Sequence, residues 1–305
     1  MNNNVIATAM TAAMLALIST AAESAEPLDG TLKKVAETGE IVVSYRDAAV
    51  PFSYIDGDQK PLGYALDICL KVVEDIKAEL KMPDLHTRLQ LVSGANRIPL
   101  LLNGTIDLEC GTTTNSVERQ KQVAFSLSYF VAGTRILTKK DSGISGLEDL
   151  KGKTVASNAG STGLRQLTDI NTQKAMEINI TPGRDLAETF LLLETDRADA
   201  VVQDDILLTG MAARSRAPAD YQLVGDALSI EPYGVMFRRD DPQLKAAVDK
   251  SIRKMLESGE IASMYKKWFE QPIPPQGINL NFPPSDHIRR AWEHPSDSAD
   301  PADYR

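Results

Sequence analysis

Residues 96–120, NRIPLLLNGTIDLECGTTTNSVERQ, combine a helix, a strand and the start of a second helix. The apolar run RIPLLL ends shortly before Gly104, which is typical of a helix and its stop, and TIDLEC has the residue pattern of a strand. Asn115 and Glu118 have the i, i+3 spacing of a capping box and predict a helix that begins at about Ser116. The stretch therefore predicts alternating α and β elements, with a hydroxyl-rich turn before the last helix.

The same alternation continues on both sides of this stretch. Before it, GEIVVSYRD predicts a strand, and YALDICLKVVEDIKAELK has apolar residues at helical spacing. After it, a second series of strands and helices begins near Gly133, and Asp185 with Glu188 provides another capping box. Two successive series predict an α/β fold of two lobes, each a mostly parallel sheet flanked by helices.

The boundaries of the two lobes follow from this order of elements. We expect lobe 1 to comprise residues 28–132 and 235–282, because the amphipathic helices near the C-terminus should pack back onto it, and lobe 2 to comprise residues 133–234. The chain would then cross between the lobes twice. A two-crossing hinge over a cleft predicts closure around a ligand.

Both ends of the chain differ from the lobes in composition. The apolar residues 5–22, VIATAMTAAMLALISTAA, are followed by polar ESAEPLDG, which predicts a secretory signal peptide at residues 1–22 with cleavage near Ala21 to Ala25. A single anchor helix is the alternative. Residues 283–305 form a tail rich in Pro, Ser and Asp, whose last ten or so residues we expect to be disordered.

Charge and cysteine content restrict the partners and the compartment. The net charge of −9 argues against a nucleic-acid surface, although a recessed pocket on an acidic protein can be locally positive. An exported chain meets oxidising conditions, so Cys69 in a predicted helix and Cys110 at the end of a predicted strand are expected to form a structural disulfide within lobe 1. Two buried free thiols are the alternative.

Several kinds of catalytic or cofactor site lack their residues. The chain has three histidines, two of them in the tail, so neither a Ser–His–Asp triad nor a histidine-based zinc site is expected. It has neither G-x-G-x-x-G nor a P-loop, so a nucleotide cofactor has no support. We expect no cofactor and no metal, while acid–base catalysis by Asp or Glu alone stays open.

Hydrogen-bond donors cluster where predicted strands lead into helices, the place where open α/β sheets bind ligands. In GTTTNSVER, threonine hydroxyls and free amides can hold a carboxylate that also pairs with Arg119. The turn SNAGSTG in lobe 2 is a second site suited to an anion, and Asp204 after the strand AVVQ can accept from an ammonium group. The simpler interpretations are an exposed arginine, a plain turn and a helix-capping aspartate.

Three stretches resemble one known family: VPFSYIDGDQKPLGYALDI, the run from NRIPLLLNG through SVERQKQVAFSLSYFVAGTRILTKK, and SGEIASMYKKWFEQPIPPQGINLNF. Over about residues 28–282 the chain resembles the periplasmic solute-binding proteins of amino-acid ABC importers, family 3, in particular the glutamate/aspartate branch. The resemblance implies a two-lobed periplasmic-binding-protein fold without enzymatic activity. It also implies a monomer in the periplasm that binds an amino acid at the hinge cleft and presents it to an inner-membrane ABC permease.

The resemblance assigns contacts to the groups that all amino acids share. Arg119 would bind the α-carboxylate, assisted by Thr114 and by the Ser161–Thr162 turn of lobe 2. Thr112 and Asp204 would bind the α-ammonium group.

The resemblance assigns the ligand side chain to two further arginines. Arg46 in SYRDAA and Arg97 in ANRIP would bind a side-chain carboxylate, which matches an acidic L-amino acid. The family has a serine at the position of Gly94 and a histidine at that of Leu186. These two departures leave glutamate, aspartate and a related diacid as alternatives.

Other functions on the same scaffold stay open at this stage. A periplasmic dehydratase or lyase is one alternative, since fold does not fix function, and it would need a positioned carboxyl acid in the cleft and no ammonium-binding aspartate. A binding protein for a different amino acid is another. A sensor domain is less favoured, because no membrane-spanning segment is predicted after the signal peptide.

Overall fold

The structure, a computed structural model, describes residues 27–305, so the predicted signal peptide lies outside the described residues. The strands are β1 Glu40–Tyr45, β2 Ala48–Ala49, β3 Ser53–Ile55, β4 Pro61–Leu62, β5 His86–Leu91, β6 Val123–Phe125, β7 Phe130–Lys139, β8 Thr154–Asn158, β9 Asn179–Gly183, β10 Ala200–Asp204, β11 Tyr221–Tyr233 and β12 Met236–Arg238. The helices are α1 Gly30–Thr38, α2 Tyr64–Leu80, α3 Arg97–Leu102, α4 Val117–Gln120, α5 Thr162–Lys174, α6 Leu186–Glu194, α7 Asp205–Arg214, α8 Pro242–Glu257, α9 Glu260–Phe269 and α10 Asp286–Glu293. Short 3-10 turns lie at Leu147–Leu150, Pro218–Asp220 and Pro301–Tyr304.

Lobe 2 is built on a five-stranded sheet with the strand order β11-β7-β10-β8-β9. Strand β8 runs parallel to both β9 and β10, whereas β7 runs antiparallel to β10 and β11. Four of the five strands therefore run in the same direction and β7 alone runs against them, which agrees with the predicted mostly parallel sheet. Helices α5, α6 and α7 pack on this sheet, which makes lobe 2 an α/β layer structure.

In lobe 1, β1 pairs in parallel with β5, and β6 pairs antiparallel with β12. The predicted strand at residues 105–110 is reduced to isolated bridges. Its bonds alternate between two neighbours: the Leu108 N–H donates to Val42 O at 3.1 Å, and the Glu109 N–H donates to Met236 O at 2.8 Å. The segment thus joins the two strand pairs without forming a continuous ladder with either.

Strands β7 and β11 form the connection between the lobes. Phe130 lies opposite Tyr233, and Ala132 lies opposite Glu231, so the two crossings run side by side. The Phe130 and Tyr233 rings also pack on each other, with centroids 5.6 Å apart. The protein is therefore a two-lobed α/β fold with a double-stranded hinge, while the boundaries at residues 133 and 234 stay a prediction.

The capping prediction at Asn115 and Glu118 is wrong. Helix α4 is instead capped by Ser116, whose hydroxyl accepts from the Arg119 N–H. The Asn115 side chain donates to the carbonyl of Asp297 at 2.8 Å, so it is used for packing of the C-terminal tail and not for a cap. A single seryl oxygen is enough to begin this one-turn helix.

The other capping prediction and the disulfide are confirmed. Asp185 caps α6 by accepting from the Glu188 N–H at 2.8 Å. Cys69 of α2 and Cys110 form a disulfide with their Cα atoms 6.2 Å apart, and both are fully buried. The bridge fixes α2 to the segment that leads into the threonine-rich turn.

The expectation of a disordered C-terminus is corrected. Helix α10 follows the Ser285 cap, and the final turn buries Tyr304. The Trp292 indole N–H donates to Tyr129 O at 3.1 Å, and the Tyr304 hydroxyl lies 2.9 Å from that of Ser128, so the tail packs beside the hinge. The Pro-, Ser- and Asp-rich composition hid these few aromatic anchors, whose burial offsets the cost of ordering the tail.

Candidate functional site

The two lobes contact each other across the cleft at a pair of glycines. Gly160, between β8 and α5, has φ +76°, a left-handed conformation that favours glycine. A Cβ atom placed there would be 2.5 Å from the carbonyl oxygen of Gly94 in lobe 1. The backbones thus meet with no room for a side chain, and the lobes are closed over the space between them.

Arg119 spans the closed cleft and is held from both lobes. Arg119 lies in α4, three residues after the Ser116 cap, and is only 8% exposed. Its guanidinium group donates to Thr114 O at 2.9 Å in its own lobe and to Gly160 O at 3.1 Å in lobe 2. Burial and the nearby charge of Arg97 lower the pKa of Arg119 to about 9, which still leaves it charged near neutral pH.

Hydroxyl groups from both lobes surround Arg119. Thr112 and Thr114 are buried in the threonine-rich turn, and the Thr114 hydroxyl lies 3.5 Å from that of Thr162 across the cleft. Ser161 is the N-cap of α5, where its hydroxyl accepts from the Leu164 N–H at 3.0 Å. The predicted second anion site is thus a capped helix start that faces the first one.

Arg46 and Arg97 lie at the other end of the cavity. Arg46 directly follows β1 and is 2% exposed, and burial together with Arg97 lowers its pKa to about 10. Arg97 begins α3, and its Nη1 atom lies 3.5 Å from Thr112 O and 3.9 Å from a carboxylate oxygen of Glu109. The Nε groups of both arginines have no hydrogen-bond partner among residues 27–305. The buried guanidinium groups of Arg46 and Arg97 therefore have unused N–H donors that can bind an anion.

Asp204 is at the carboxyl end of β10, in lobe 2. It occupies the N-cap position of α7, yet its side chain makes no capping bond, so the capping interpretation is wrong. The Tyr233 hydroxyl donates to its carboxylate, and the Thr134 hydroxyl lies 3.4 Å away. Burial, reinforced by the nearby Glu231 carboxylate, raises the pKa of Asp204 to about 7.

The sequence analysis missed two buried carboxylates behind the cavity. Glu109 is fully buried, accepts from the Thr113 hydroxyl at 2.5 Å and has a carboxylate oxygen 3.9 Å from Arg97 Nη1. Glu231 accepts from the Gln166 amide at 2.7 Å and from the Thr134 hydroxyl at 3.5 Å. A glutamate directly between the apolar residues Leu108 and Cys110, as in TIDLEC, is the sequence signal that could have revealed Glu109.

All eight predicted ligand contacts lie at one cavity. The residues that line it are Arg46, Arg97, Thr112, Thr114, Arg119, Asn158, Ser161, Thr162, Leu186, Gln203, Asp204 and Leu207. Four of these were not predicted as contacts: Asn158, Leu186, Gln203 and Leu207.

Within residues 27–305, no group of His, Cys, Asp and Glu side chains has an arrangement that could hold a metal ion. No helix in that part of the chain has the length and apolar character needed to cross a membrane.

Two lobes, a double-stranded hinge and a polar cavity closed between them define a solute-binding protein. The chain belongs to the bacterial extracellular solute-binding proteins, family 3, whose model matches residues 41–271. It is 47% identical to an L-glutamate/L-aspartate-binding protein of Pseudomonas aeruginosa, over 95% of this chain and 96% of the relative. It is 44% identical to a glutamate/aspartate import solute-binding protein of Escherichia coli, over 96% of this chain and 97% of the relative.

The fold is also similar to solved structures. An ancestral arginine-binding protein bound to arginine has a TM-score of 0.68 and 30% identity, covering 76% of this chain and 98% of that chain. These proteins are named for binding or import and not for an enzymatic reaction.

Proposed function

We propose that this protein binds an acidic L-amino acid, glutamate or aspartate, in the closed cavity. The observation that carries the proposal is the convergence of three buried arginines from lobe 1 on a space that Asp204 faces from lobe 2. Two carboxylates and one ammonium group are the chemical complement of that arrangement. The names of the relatives from Pseudomonas aeruginosa and Escherichia coli support the same ligand class.

The proposed contacts divide the cavity into two ends. At one end, Arg119, Thr114 and the Ser161–Thr162 turn bind the α-carboxylate, while Thr112 and Asp204 bind the ammonium group. Arg119 suits this role because two carbonyls already orient its guanidinium group.

At the distal end, Arg46 and Arg97 bind the side-chain carboxylate. A neutral side chain would leave the two buried guanidinium groups without an anionic ligand partner, which is costly in a site removed from water. Glu109 offsets part of this cost for Arg97, but no described residue accepts a hydrogen bond from the Arg46 Nε group.

The protein is further proposed to act outside the cytoplasm as the soluble partner of an importer. After cleavage of the signal peptide at residues 1–22, the monomer would bind its ligand in the periplasm. The closed form would then deliver the amino acid to an inner-membrane ABC permease. Two lobes joined by a two-stranded hinge allow the opening that release requires.

The test is calorimetric titration of the purified protein with L-glutamate, L-aspartate, L-glutamine and L-arginine. We expect heat from glutamate and aspartate with a binding free energy of about −8 kcal/mol or stronger, which corresponds to micromolar affinity. No heat from either acid, together with a clear response to glutamine or arginine, would contradict the proposal.

A further inference from the structure

Asn158 is a buried polar residue in the cavity to which no role has been assigned. It is the last residue of β8, it is 4% exposed, and its side chain lines the cavity. Its Oδ1 atom has no hydrogen-bond partner among the described residues. Within residues 27–305, its Nδ2 group donates only to the carbonyl of the next residue, Ala159, at 3.3 Å.

The protein therefore uses little of the hydrogen-bonding capacity of this amide. A side-chain amide has two N–H donors and an oxygen with two lone pairs. One long bond to an adjacent carbonyl accounts for one donor. Because buried polar groups are normally paired, the second Nδ2 hydrogen points to an acceptor that enters the cavity, whereas Oδ1 could pair only with a donor.

The position of the amide identifies the end of the cavity it serves. A Cβ atom placed on Gly94 would lie 2.7 Å from Asn158 Nδ2 and 3.8 Å from Arg46 Nη2. Because residue 94 is a glycine, the Asn158 amide of lobe 2 can lie in the space that a side chain at position 94 would fill. The amide and the Arg46 guanidinium group are neighbours at the distal end.

We propose that Asn158 is a specificity-determining residue that donates its second Nδ2 hydrogen to the distal group of the ligand, beside Arg46. This assignment rests on the proposed function, because it takes the distal group to be a carboxylate. Arg46 and Arg97 supply charge from lobe 1, and Asn158 supplies a neutral donor from lobe 2. The donor reaches the ligand only when the lobes are closed, so it contributes to recognition and to closure together.

The assignment differs from a purely structural role in its ligand dependence. A residue that only supported the β8 turn would affect all ligands equally when replaced. A donor to the distal group affects a ligand with a distal carboxylate more than one with a distal amide, because a hydrogen bond to a charged group contributes more than one to a neutral group. Asn158→Asp sharpens this difference, because aspartate keeps an acceptor but removes the donor and adds a negative charge.

The experiment is calorimetric titration of wild type, Asn158→Ala and Asn158→Asp with L-glutamate and L-glutamine. We expect Asn158→Ala to weaken glutamate binding about tenfold, as for loss of one hydrogen bond to a charged group, and to change glutamine binding less than about threefold. Asn158→Asp should weaken glutamate binding by about a hundredfold or more while glutamine binding is kept. Asn179→Asp, an exposed asparagine on neighbouring β9, is the matched control and should leave both affinities unchanged.

The outcomes separate the two proposals. If wild type binds glutamate and Asn158→Ala binds both ligands as wild type does, or loses both equally, the specificity role is wrong and the acidic-ligand proposal stands. If wild type does not respond to glutamate or aspartate, the proposed function is wrong and this assignment falls with it. Thermal unfolding of each variant identifies a folding defect, and Asn158→Ser, which keeps a small polar donor, should recover part of the glutamate affinity.

Discussion

The two ends of the cavity hold their arginines in different ways. Arg119 is fixed by carbonyls of Thr114 and Gly160, one from each lobe. Arg46 has no such support, since its buried Nε group has no partner among the described residues. A guanidinium group that is already oriented suits the α-carboxylate common to all amino acids, whereas a group with unused donors discriminates among side chains.

The largest effect is expected from Arg119→Ala. Removing this guanidinium group deletes the charge that pairs with the α-carboxylate and one contact between the lobes, so binding of every amino acid should fall by about a thousandfold or more. Calorimetry with glutamate and glutamine measures the loss. The matched control is Arg165→Ala, which replaces an exposed arginine on α5. Similar losses of affinity from both variants would contradict the proposal that Arg119 binds the α-carboxylate.

Arg46→Ala and Arg97→Ala should distinguish the distal end from the α-carboxylate end. Each removes a buried cation that faces the side-chain carboxylate, so glutamate affinity should fall by about a hundredfold and glutamine affinity much less. The measured quantity is the glutamate-to-glutamine affinity ratio. Losses that are equal for both ligands would mean that these arginines do not read the side chain. Arg88→Ala, on β5, provides a partly exposed arginine as control.

Much of the fold could be predicted from the sequence because its local patterns are consistent. The alternation of strand and helix, the Asp185 cap and the Cys69–Cys110 pair rest on residues close in sequence or on a single available partner. The interrupted strand at residues 105–110 and the ordered tail could not be predicted. Both depend on partners distant in sequence, such as Met236 and Tyr129, and local secondary-structure propensity carries no information about such partners.

The difference between local patterns and partners distant in sequence also decides which site residues could be predicted. Arg119 follows a hydroxyl-rich turn that leads into a helix predicted from about Ser116, so its position was predictable although the capping residue was not. Asn158 at the end of a strand has the sequence context of an ordinary turn residue, and only the approach of Gly94 from the other lobe reveals its place in the cavity. Buried Glu109 and Glu231 were missed because their burial results from packing of the two lobes and the hinge.

Binding should depend on pH through Asp204, which faces the ammonium end. Glu231 and Tyr233 on β11, Asp205 on α7 and Arg119 on α4 all act on its carboxylate, and the net result with burial is a pKa of about 7. Because this pKa is raised above its usual value, the folded protein holds a proton that the unfolded chain releases, and stability of the ligand-free protein decreases as pH rises towards 7. An ammonium group needs the ionised form, so affinity should be full above this pKa and weaken below it.

The measurement is the glutamate dissociation constant between about pH 8 and about pH 6, where the ligand itself hardly titrates. One linked proton predicts a loss of at most about tenfold per pH unit below the Asp204 pKa. Asp204→Asn should bind more weakly and lose this slope. An unchanged slope in that variant would assign the titration to another group.

The smallest expected effect concerns Glu109, which compensates the charge of Arg97 from behind the cavity. Glutamine in its place keeps the shape and an acceptor for the Thr113 hydroxyl but removes the negative charge 3.9 Å from the Arg97 guanidinium. The ligand-free protein should then unfold at a lower temperature, because buried cations have lost a counter-charge. Bound ligand glutamate supplies the missing anion. It should therefore raise the unfolding temperature of the variant more than that of wild type, and the glutamate-to-glutamine affinity ratio should rise by a few-fold.

The control is Glu118→Gln, which disrupts an exposed pair with Lys121. If Glu109→Gln lowers that ratio instead, Glu109 orients Arg97 more than it offsets its charge, and selectivity at the distal end depends on geometry before charge.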